Sequence, residues 1–452
     1  MNNLIEKYNI PAPRYTSYPT VPYWDETPPT EKEWKNLVIE SYNKTNATEG
    51  INLYIHLPFC ESLCTYCGCN TRITINHNVE KKYLAAVLRE WSMYLTLFKQ
   101  KPKIKEIHLG GGTPTFFSAS NLELLIKNIL DSAEVCENPE FSFEAHPANT
   151  TLEHLNTLYK LGFKRLSLGI QDFDTKVQDI INRQQSFEQV KHISEQAKKI
   201  GYTSVNFDLI YGLPLQTIES TEKTINKVIE LKPERIAFYS YAHVPWIKPG
   251  QRKFTEQDLP TPEIKRLLYE NGRKAFEKAG YVEIGMDHFA LPNDPLYIAE
   301  KKGLLNRNFM GYTTSSSSLL IGLGASSISD SWTGFIQNEK KIEDYYKKIE
   351  SEQLPIFKGH VLSKTDMILR KHILNIMCKQ KTTWYNKEEQ CDEIFEATER
   401  LLEMKSDKLI VVEAYSLSVT EKGKAFLRNI CMAFDARLWK KQPQTTLFSS
   451  SI

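Results

Sequence analysis

Four of the eight cysteines in this 452-residue chain stand within ten positions, in "YIHLPFCESLCTYCGCN" (54–70). Cys60, Cys64 and Cys67 are spaced C-x3-C-x2-C, and Cys69 follows with one residue between. Thiolates this close hold soft metals, either zinc or an iron–sulfur cluster. A structural zinc site normally closes with four ligands in paired blocks. No second pair exists here, since Cys136, Cys378, Cys391 and Cys431 are scattered singly. Cys69 lies too near Cys67 to serve the same metal comfortably. Three thiolates and an open corner point to a reactive cubane cluster. Four bare thiols in one loop would instead be an oxidation hazard.

Other residues with chemical potential are less specific alone. "GGGTPT" (110–115) offers backbone without Cβ obstruction, which lets a ligand approach but also suits any tight turn. Glu144, Gln171, Asp172 and Asp208 read singly are hydrogen-bonded or solvated side chains, and Arg183 in "INRQQ" is a surface cation at a helix start. Their placement in the fold raises them.

β-Branched and aromatic runs recur from about residue 50: 52–59, 106–112, 140–146, 165–171, 204–212 and 235–241. Segments of helical periodicity separate them, such as 79–98 and 186–201, the second closing on Gly201. Strands alternating with helices predict parallel βα units, and six in series suit a complete or partial barrel better than an open sheet. In such folds chemistry sits at the C-terminal strand ends. The cysteine loop follows the first strand, "GGGTPT" the second, and Glu144 is near the end of the third. Gln171 and Asp172 end the fourth, Asp208 lies within the fifth, and "YAH" (241–243) ends the sixth.

The rhythm loosens beyond about 250. An amphipathic helix is predicted over 261–281, and 307–329 reads as a Gly/Ser-rich loop region around a short apolar run. From about 345 the chain is charged and helical, ending in a hairpin-like segment and then a helix, a pattern that suits a small winged-helix-like unit or, with no charge cluster, a packing lid. The predicted organisation is an arm (1–45), a barrel with its extension (46–345) and a mostly helical C-terminal domain (346–452).

Hydrophobic residues at 41% and charged residues at 25% are those of a globular protein. No apolar run approaches the roughly 20 residues a membrane helix needs, and no secretory signal is read at the N-terminus. A cytoplasmic location is expected. The net charge of +2 without a basic block argues against nucleic acid as partner. A monomer is expected.

The cysteine spacing, with Tyr66 before the third cysteine, resembles the radical S-adenosylmethionine (SAM) superfamily. "PRYTSYPT" (13–20), the cysteine loop, "GGGTPT", "LSLGIQDF", "INRQQ", "DLIYGLPLQT", "YAHVPW", "GMDHFA", "RNFMGYTT" and "RNICMAFD" are similar, in this order, to the oxygen-independent coproporphyrinogen III oxidases. The resemblance runs from about residue 5 to the C-terminus. It implies a radical SAM barrel with an N-terminal arm and a helical C-terminal domain. The implied reaction converts two propionates of coproporphyrinogen III to vinyl groups, giving protoporphyrinogen IX in heme biosynthesis. A low-potential electron donor and an electron acceptor, both unidentified, are implied as partners.

The resemblance assigns Cys60, Cys64 and Cys67 to one [4Fe-4S] cluster and leaves Cys69 off it. It implies two SAM molecules. Tyr54, Gly111, Glu144 and Ile328 fall at positions for the cluster-bound one, and Tyr66, Gly112, Thr113, Gln171, Arg183, Asp208 and Ala242 at positions for the second. Arg14 and Arg307 are candidates for the substrate carboxylates. Two departures stand out: His146 where relatives often carry Asp, and Met310 where Gln is familiar. Alternatives are a heme-binding chaperone of the same barrel, a heme-degrading radical SAM methyltransferase and a zinc module. The "PRYTSYP" arm and the "GCN" after the third cysteine favour the oxidase over the chaperone.

Overall fold

The computed structural model describes residues 2–441 and Phe448; the rest of the C-terminal tail, 442–447 and 449–452, lies outside the described residues. Six parallel strands carry the site: β1 (Ile51–Leu57), β2 (Lys103–Gly111), β3 (Glu134–Ala145), β4 (Phe163–Gln171), β5 (Ser204–Tyr211) and β6 (Arg235–Ser240). They pair in sequence order, each with the next. Helices such as Val79–Leu95, Ala119–Asp131, Phe187–Ile200 and Ile218–Leu231 connect them. The repeated strand-then-helix reading therefore holds, as does the amphipathic helix after 261, seen as Pro262–Lys278.

Alternation within the strands sorts the side chains. Leu53, Ile55, Leu57, Ile107, Leu109, Phe143, Leu168 and Phe207 face the helices and are almost fully buried. Burying each such side chain contributes ~1.5–3 kcal/mol, so the outer face of the sheet supplies cohesion. The inner face is released for polar residues. Its register is lateral: Tyr54 opposes His108, His108 opposes Ser142, Glu144 opposes Ser167, Ser167 opposes Asn206, and Gly169 opposes Asp208.

The sheet extends beyond these six on both sides. After β6 come β7 (Val282–Ile284) and β8 (His288–Ala290), with β8 antiparallel to β6. On the other edge β9 (Leu320–Leu323) runs parallel to β1, followed by β10 (Ile328–Asp330), β11 (Gly334–Asn338) and β12 (Ile356–Val361) as antiparallel neighbours. The loop expected over 307–329 thus contains sheet strands and a small hairpin, Asn306–Asn308 with Gly311–Thr313. These segments are too short and glycine-rich to show a period, and β9 is held by pairing with β1 from far away in sequence.

The C-terminal hairpin is present as Ile410–Glu413 and Ser416–Val419, joined by Lys381–Thr383 into a three-stranded antiparallel sheet. Helices Lys364–Lys379 and Leu427–Ala433 pack beside it around Ile373, Ile376, Ile430 and Phe434.

Candidate active site

Leu57 ends β1, and the chain at once makes a two-residue parallel bridge, Phe59–Cys60 with Arg72–Ile73. The bridge pinches residues 61–71 into a closed loop. Thr65 is tied to the segment after β4 (N to the Ile181 carbonyl, 2.9 Å; Oγ1 to the Ile180 carbonyl, 3.0 Å), and Asn182 Nδ2 donates to the Leu63 carbonyl at 2.8 Å. Gln251 Nε2 donates to the Tyr66 carbonyl (3.1 Å) and to the Ala242 carbonyl (3.2 Å). The loop is thereby fixed from three sides.

Gly110–Gly112 runs under this loop. Gly112 N donates to the Leu57 carbonyl at 2.9 Å and Thr113 N to the Phe59 carbonyl at 3.0 Å. A Cβ on Gly112 would stand 2.6 Å from the Pro58 carbonyl carbon, a backbone atom that cannot swing away. The first demand on this glycine is thus close packing against the end of β1. Gly111 N donates to Glu144 Oε2 at 3.1 Å.

Cys60, Cys64, Cys67, Tyr66, Gly111, Gly112, Thr113, Glu144, Gln171, Arg183 and Asp208 line one cavity of about 700 Å³. Cys60, Cys64 and Cys67 are half-buried and Cys69 is exposed. Cys60 Sγ lies 3.3 Å from Thr113 Oγ1, Arg183 Nη1 donates to Cys64 Sγ at 3.6 Å, and the Cys69 N–H donates to Cys67 Sγ at 3.4 Å. Hydrogen bonding from Cys69 brings the Cys67 thiol down to about 6, while burial pushes Cys60 up to about 11. Among the described residues no three His, Cys, Asp or Glu side chains converge to hold a single metal ion. Three thiols spread around a common cavity fit a multi-iron cubane, whose corners are ligated separately.

Above β3 to β5 the cavity is acidic and basic in turn. Burial would raise the Glu144 carboxyl, but His108 (Nε2 to Oε1, 3.5 Å) and the Gly111 N–H outweigh it and hold it below the ordinary range. Asp208 has the opposite balance. Burial drives it up to about 6 against hydrogen bonds from Ser167 (2.7 Å) and Asn206 (2.8 Å), with the Glu144 charge adding to the rise. Arg183 folds back to donate to the Gly169 carbonyl, Nη2 at 2.6 Å and Nε at 3.2 Å. Gly169 makes room for it, since a Cβ there would meet Nη2 at 2.7 Å. His146 also faces the cavity and accepts from the Ala148 N–H at Nδ1 (3.1 Å). Burial, then the Arg183 charge, lowers it to about 3, so it is neutral.

Residues 54–228 match the model of the radical SAM superfamily. The chain is 37% identical over 443 residues to the oxygen-independent coproporphyrinogen III oxidase of Escherichia coli K12, covering 97% of this chain and 95% of that one. With the same enzyme of Synechocystis it is again 37% identical, over 99% and 97%. The solved structure of the Escherichia coli oxidase, described as a radical SAM enzyme, superposes with a TM-score of 0.89 at 36% identity, over 96% of this chain and 98% of that one. The chain belongs to the oxygen-independent coproporphyrinogen III oxidase family.

Within this oxidase the remaining sequence candidates lie apart from the cavity wall. Tyr54 sits one step below it, ring-stacked on His108 at 6.0 Å, with its hydroxyl 3.1 Å from His56 Nδ1. His56 Nε2 meets the Asn70 carbonyl at 2.9 Å, so Nε2 carries the proton and Nδ1 accepts from Tyr54. Gln251 links Ala242 to the loop, donating to both its carbonyl and that of Tyr66. Ile328 packs beside Trp24, Phe335 and Leu362. Asp172, at the end of β4, turns into the helix layer and accepts from Thr224 (2.7 Å) and Gln216 (2.6 Å).

Ser167, Gly169, Ile210 and Tyr239 also line the cavity and were not singled out from the sequence. Period-two alternation was the available signal, because Ser167 and Gly169 share one face of β4 as Asp208 and Ile210 share one face of β5, although a register shift interrupts it between Gly169 and Gln171. The arm motif also gains a physical meaning. Arg428, of "RNICM", donates to the Ala12 carbonyl and to the Pro13 carbonyl (3.1 Å), and Asn429 donates to the Tyr8 carbonyl at 2.9 Å. Arg14 pairs with Asp287 at 2.7 Å. The two family motifs at the chain's ends thus hold one another.

Proposed function

We propose that this oxidase converts two propionate side chains of coproporphyrinogen III to vinyl groups by oxidative decarboxylation, yielding protoporphyrinogen IX. The observation that carries the reading is the convergence of the three-cysteine loop, Glu144, Arg183 and Asp208 on one cavity in a chain aligned end to end with such oxidases. A [4Fe-4S] cluster together with SAM would supply the one-electron chemistry needed to take an unactivated hydrogen. Cys60, Cys64 and Cys67 would hold the cluster.

The chain's own residues do the rest. A propionate β-carbon has no acidic proton, so a general base cannot break its C–H bond, and His146, lowered to about 3 by burial and the Arg183 charge, is in any case a very weak base. Glu144, kept ionised, suits an ammonium group of the cofactor. The Cys69 N–H placed against the Cys67 sulfur favours its thiolate over its thiol, and Arg183 hydrogen-bonds the Cys64 sulfur. Tyr66, Ile210 and Tyr239 wall the cavity and limit water around a reactive centre. A second SAM among Gly112, Thr113, Gln171, Arg183 and Asp208 is part of the proposal, as are an external electron donor and acceptor and a monomeric cytoplasmic enzyme. Among the described residues no helix is long and apolar enough to cross a membrane.

The test is anoxic reconstitution with iron and sulfide, then SAM, a reductant and coproporphyrinogen III. Protoporphyrin formed together with 5′-deoxyadenosine is the expected result. Tight heme binding without product would transfer the chain to the chaperone reading.

A further inference from the structure

Toward the N-terminal ends of the strands lies a smaller chamber of about 190 Å³, which shares Glu144, Ser167, Asp208 and Tyr239 with the main cavity. No cysteine of the loop lines it. Its other walls include Arg165, Arg235, His288, Met310 and Tyr312. Arg235 is 4% exposed; its Nε donates to Asp294 at 2.7 Å while Nη2 has no partner. Arg307, on the hairpin that brings Met310 and Tyr312 to the chamber, is 7% exposed. Its guanidinium lies over the Tyr312 ring at 4.5 Å, and Nη2 donates to the Arg14 carbonyl at 3.3 Å. Both Nε and Nη1 are without partners. Arg14, Arg165, Arg235 and Arg370 each meet a carboxylate; among the described residues Arg307 meets none.

A buried cation without a counter-charge is unfavourable unless a ligand supplies the anion. His288 locates where that anion belongs. Its Nδ1 donates to the Met286 carbonyl (2.8 Å) and its Nε2 faces the Tyr239 hydroxyl at 3.2 Å. Its ring lies edge-on to Tyr312 at 5.3 Å, and the Arg307 guanidinium lies 4.5 Å over that same Tyr312 ring, so Arg307 stands just behind the chamber wall at His288, while Arg235 lines the chamber itself. Glu144 and Asp208 stand at the mouth shared with the main cavity, and Arg165 and Arg235, near the N-terminal ends of β4 and β6, stand on the far side.

We propose that the chamber seats one carboxylate-terminated arm of the substrate, gripped by Arg235 with Arg307 as the second cation. The identity of the arm as a propionate rests on the oxidase reading above. A carboxylate could also come from the methionine part of SAM, and the experiment separates the two sources.

The cluster-loaded enzyme is titrated anoxically with coproporphyrin III, which is fluorescent, and separately with SAM. Arg307→Met breaks no ion pair and keeps the volume. It is expected to weaken coproporphyrin III about tenfold or more and to raise the KM for coproporphyrinogen III alike. The kcat should stay within about threefold, and SAM affinity and substrate-free SAM cleavage should not change. Coproporphyrin III affinity within about twofold of wild type would mean that water satisfies these nitrogens, and a loss confined to SAM would assign the carboxylate to the cofactor. Either result overturns the proposal. Should Arg307→Met not fold, Arg307→Lys keeps the charge without the planar fork and is expected to weaken coproporphyrin III by at least about threefold; no change there overturns it as well. If wild type binds coproporphyrin III but makes no product, the oxidase reading fails while the titrations still judge the chamber.

Discussion

Asp208→Asn should make the protein more stable at neutral pH while impairing its work. Asp208 is lifted from its ordinary 3.8 to about 6, chiefly by burial. Below pH 3.8 the folded and unfolded chains both hold the proton and nothing is lost. Between 3.8 and 6 the unfolded chain ionises first, so native stability falls as pH rises. Above 6 the full penalty is present, about 3 kcal/mol for a shift of this size. Asn removes that penalty but cannot accept from both Ser167 and Asn206, and one such lost hydrogen bond costs about 1 kcal/mol. The variant's net advantage should therefore grow from about 0.5 kcal/mol at pH 5 to about 2 kcal/mol at pH 8. Urea unfolding of SAM-free protein, followed by tryptophan fluorescence at pH 5, 6, 7 and 8, reads this difference. An advantage that is independent of pH, or that shrinks toward pH 8, would refute the electrostatic reasoning. Turnover should fall in the same variant, the usual trade where a site stores strain.

Cys64→Ala should lose the iron–sulfur chromophore and all turnover. Cys69→Ala should keep the visible spectrum, because its backbone N–H to Cys67 survives the change; bleaching of that variant would reassign the ligands. Gly112→Ala places a methyl 2.6 Å from the Pro58 carbonyl carbon, so the loop must shift, with an overpacking cost of about 1–3 kcal/mol. Iron content per chain and thermal midpoint should both drop, and an unchanged spectrum would contradict the packing role. Arg428→Ala removes the grip on Ala12 and Pro13. Limited trypsin digestion should then cut at Lys7 and Arg14 faster than in wild type, and equal cutting rates would show that the arm is held elsewhere.

The six strands were legible because each carries a run of β-branched or aromatic residues long enough to show, and because their polar ends coincide with loops. What escaped was short or non-local. Leu320–Leu323 is four residues of "LIGL" whose strand character comes from Asn52 to Ile55 beside it. Arg183 looked like a surface cation from its neighbours, yet a missing side chain at Gly169 draws it inward. Asp172, ending one strand, and Asp208, within the next, are both lone carboxylates in sequence, and only the three-dimensional partners separate a structural carboxylate (Thr224, Gln216) from one at the cavity. Glu144 was legible by position, but its ionisation depends on His108, which sits on the neighbouring strand in a register no local pattern reveals.

The strand that leads into the cysteine loop has one neighbour made early in the chain and another made in its last third. During synthesis β1 remains an open edge until Leu320–Leu323 emerges from the ribosome. A polypeptide truncated before that point would keep the pairing of β1 with β2 but lack its other neighbour. The strand leading into the cysteine loop is therefore paired on both sides only when residues far apart in the sequence have come together.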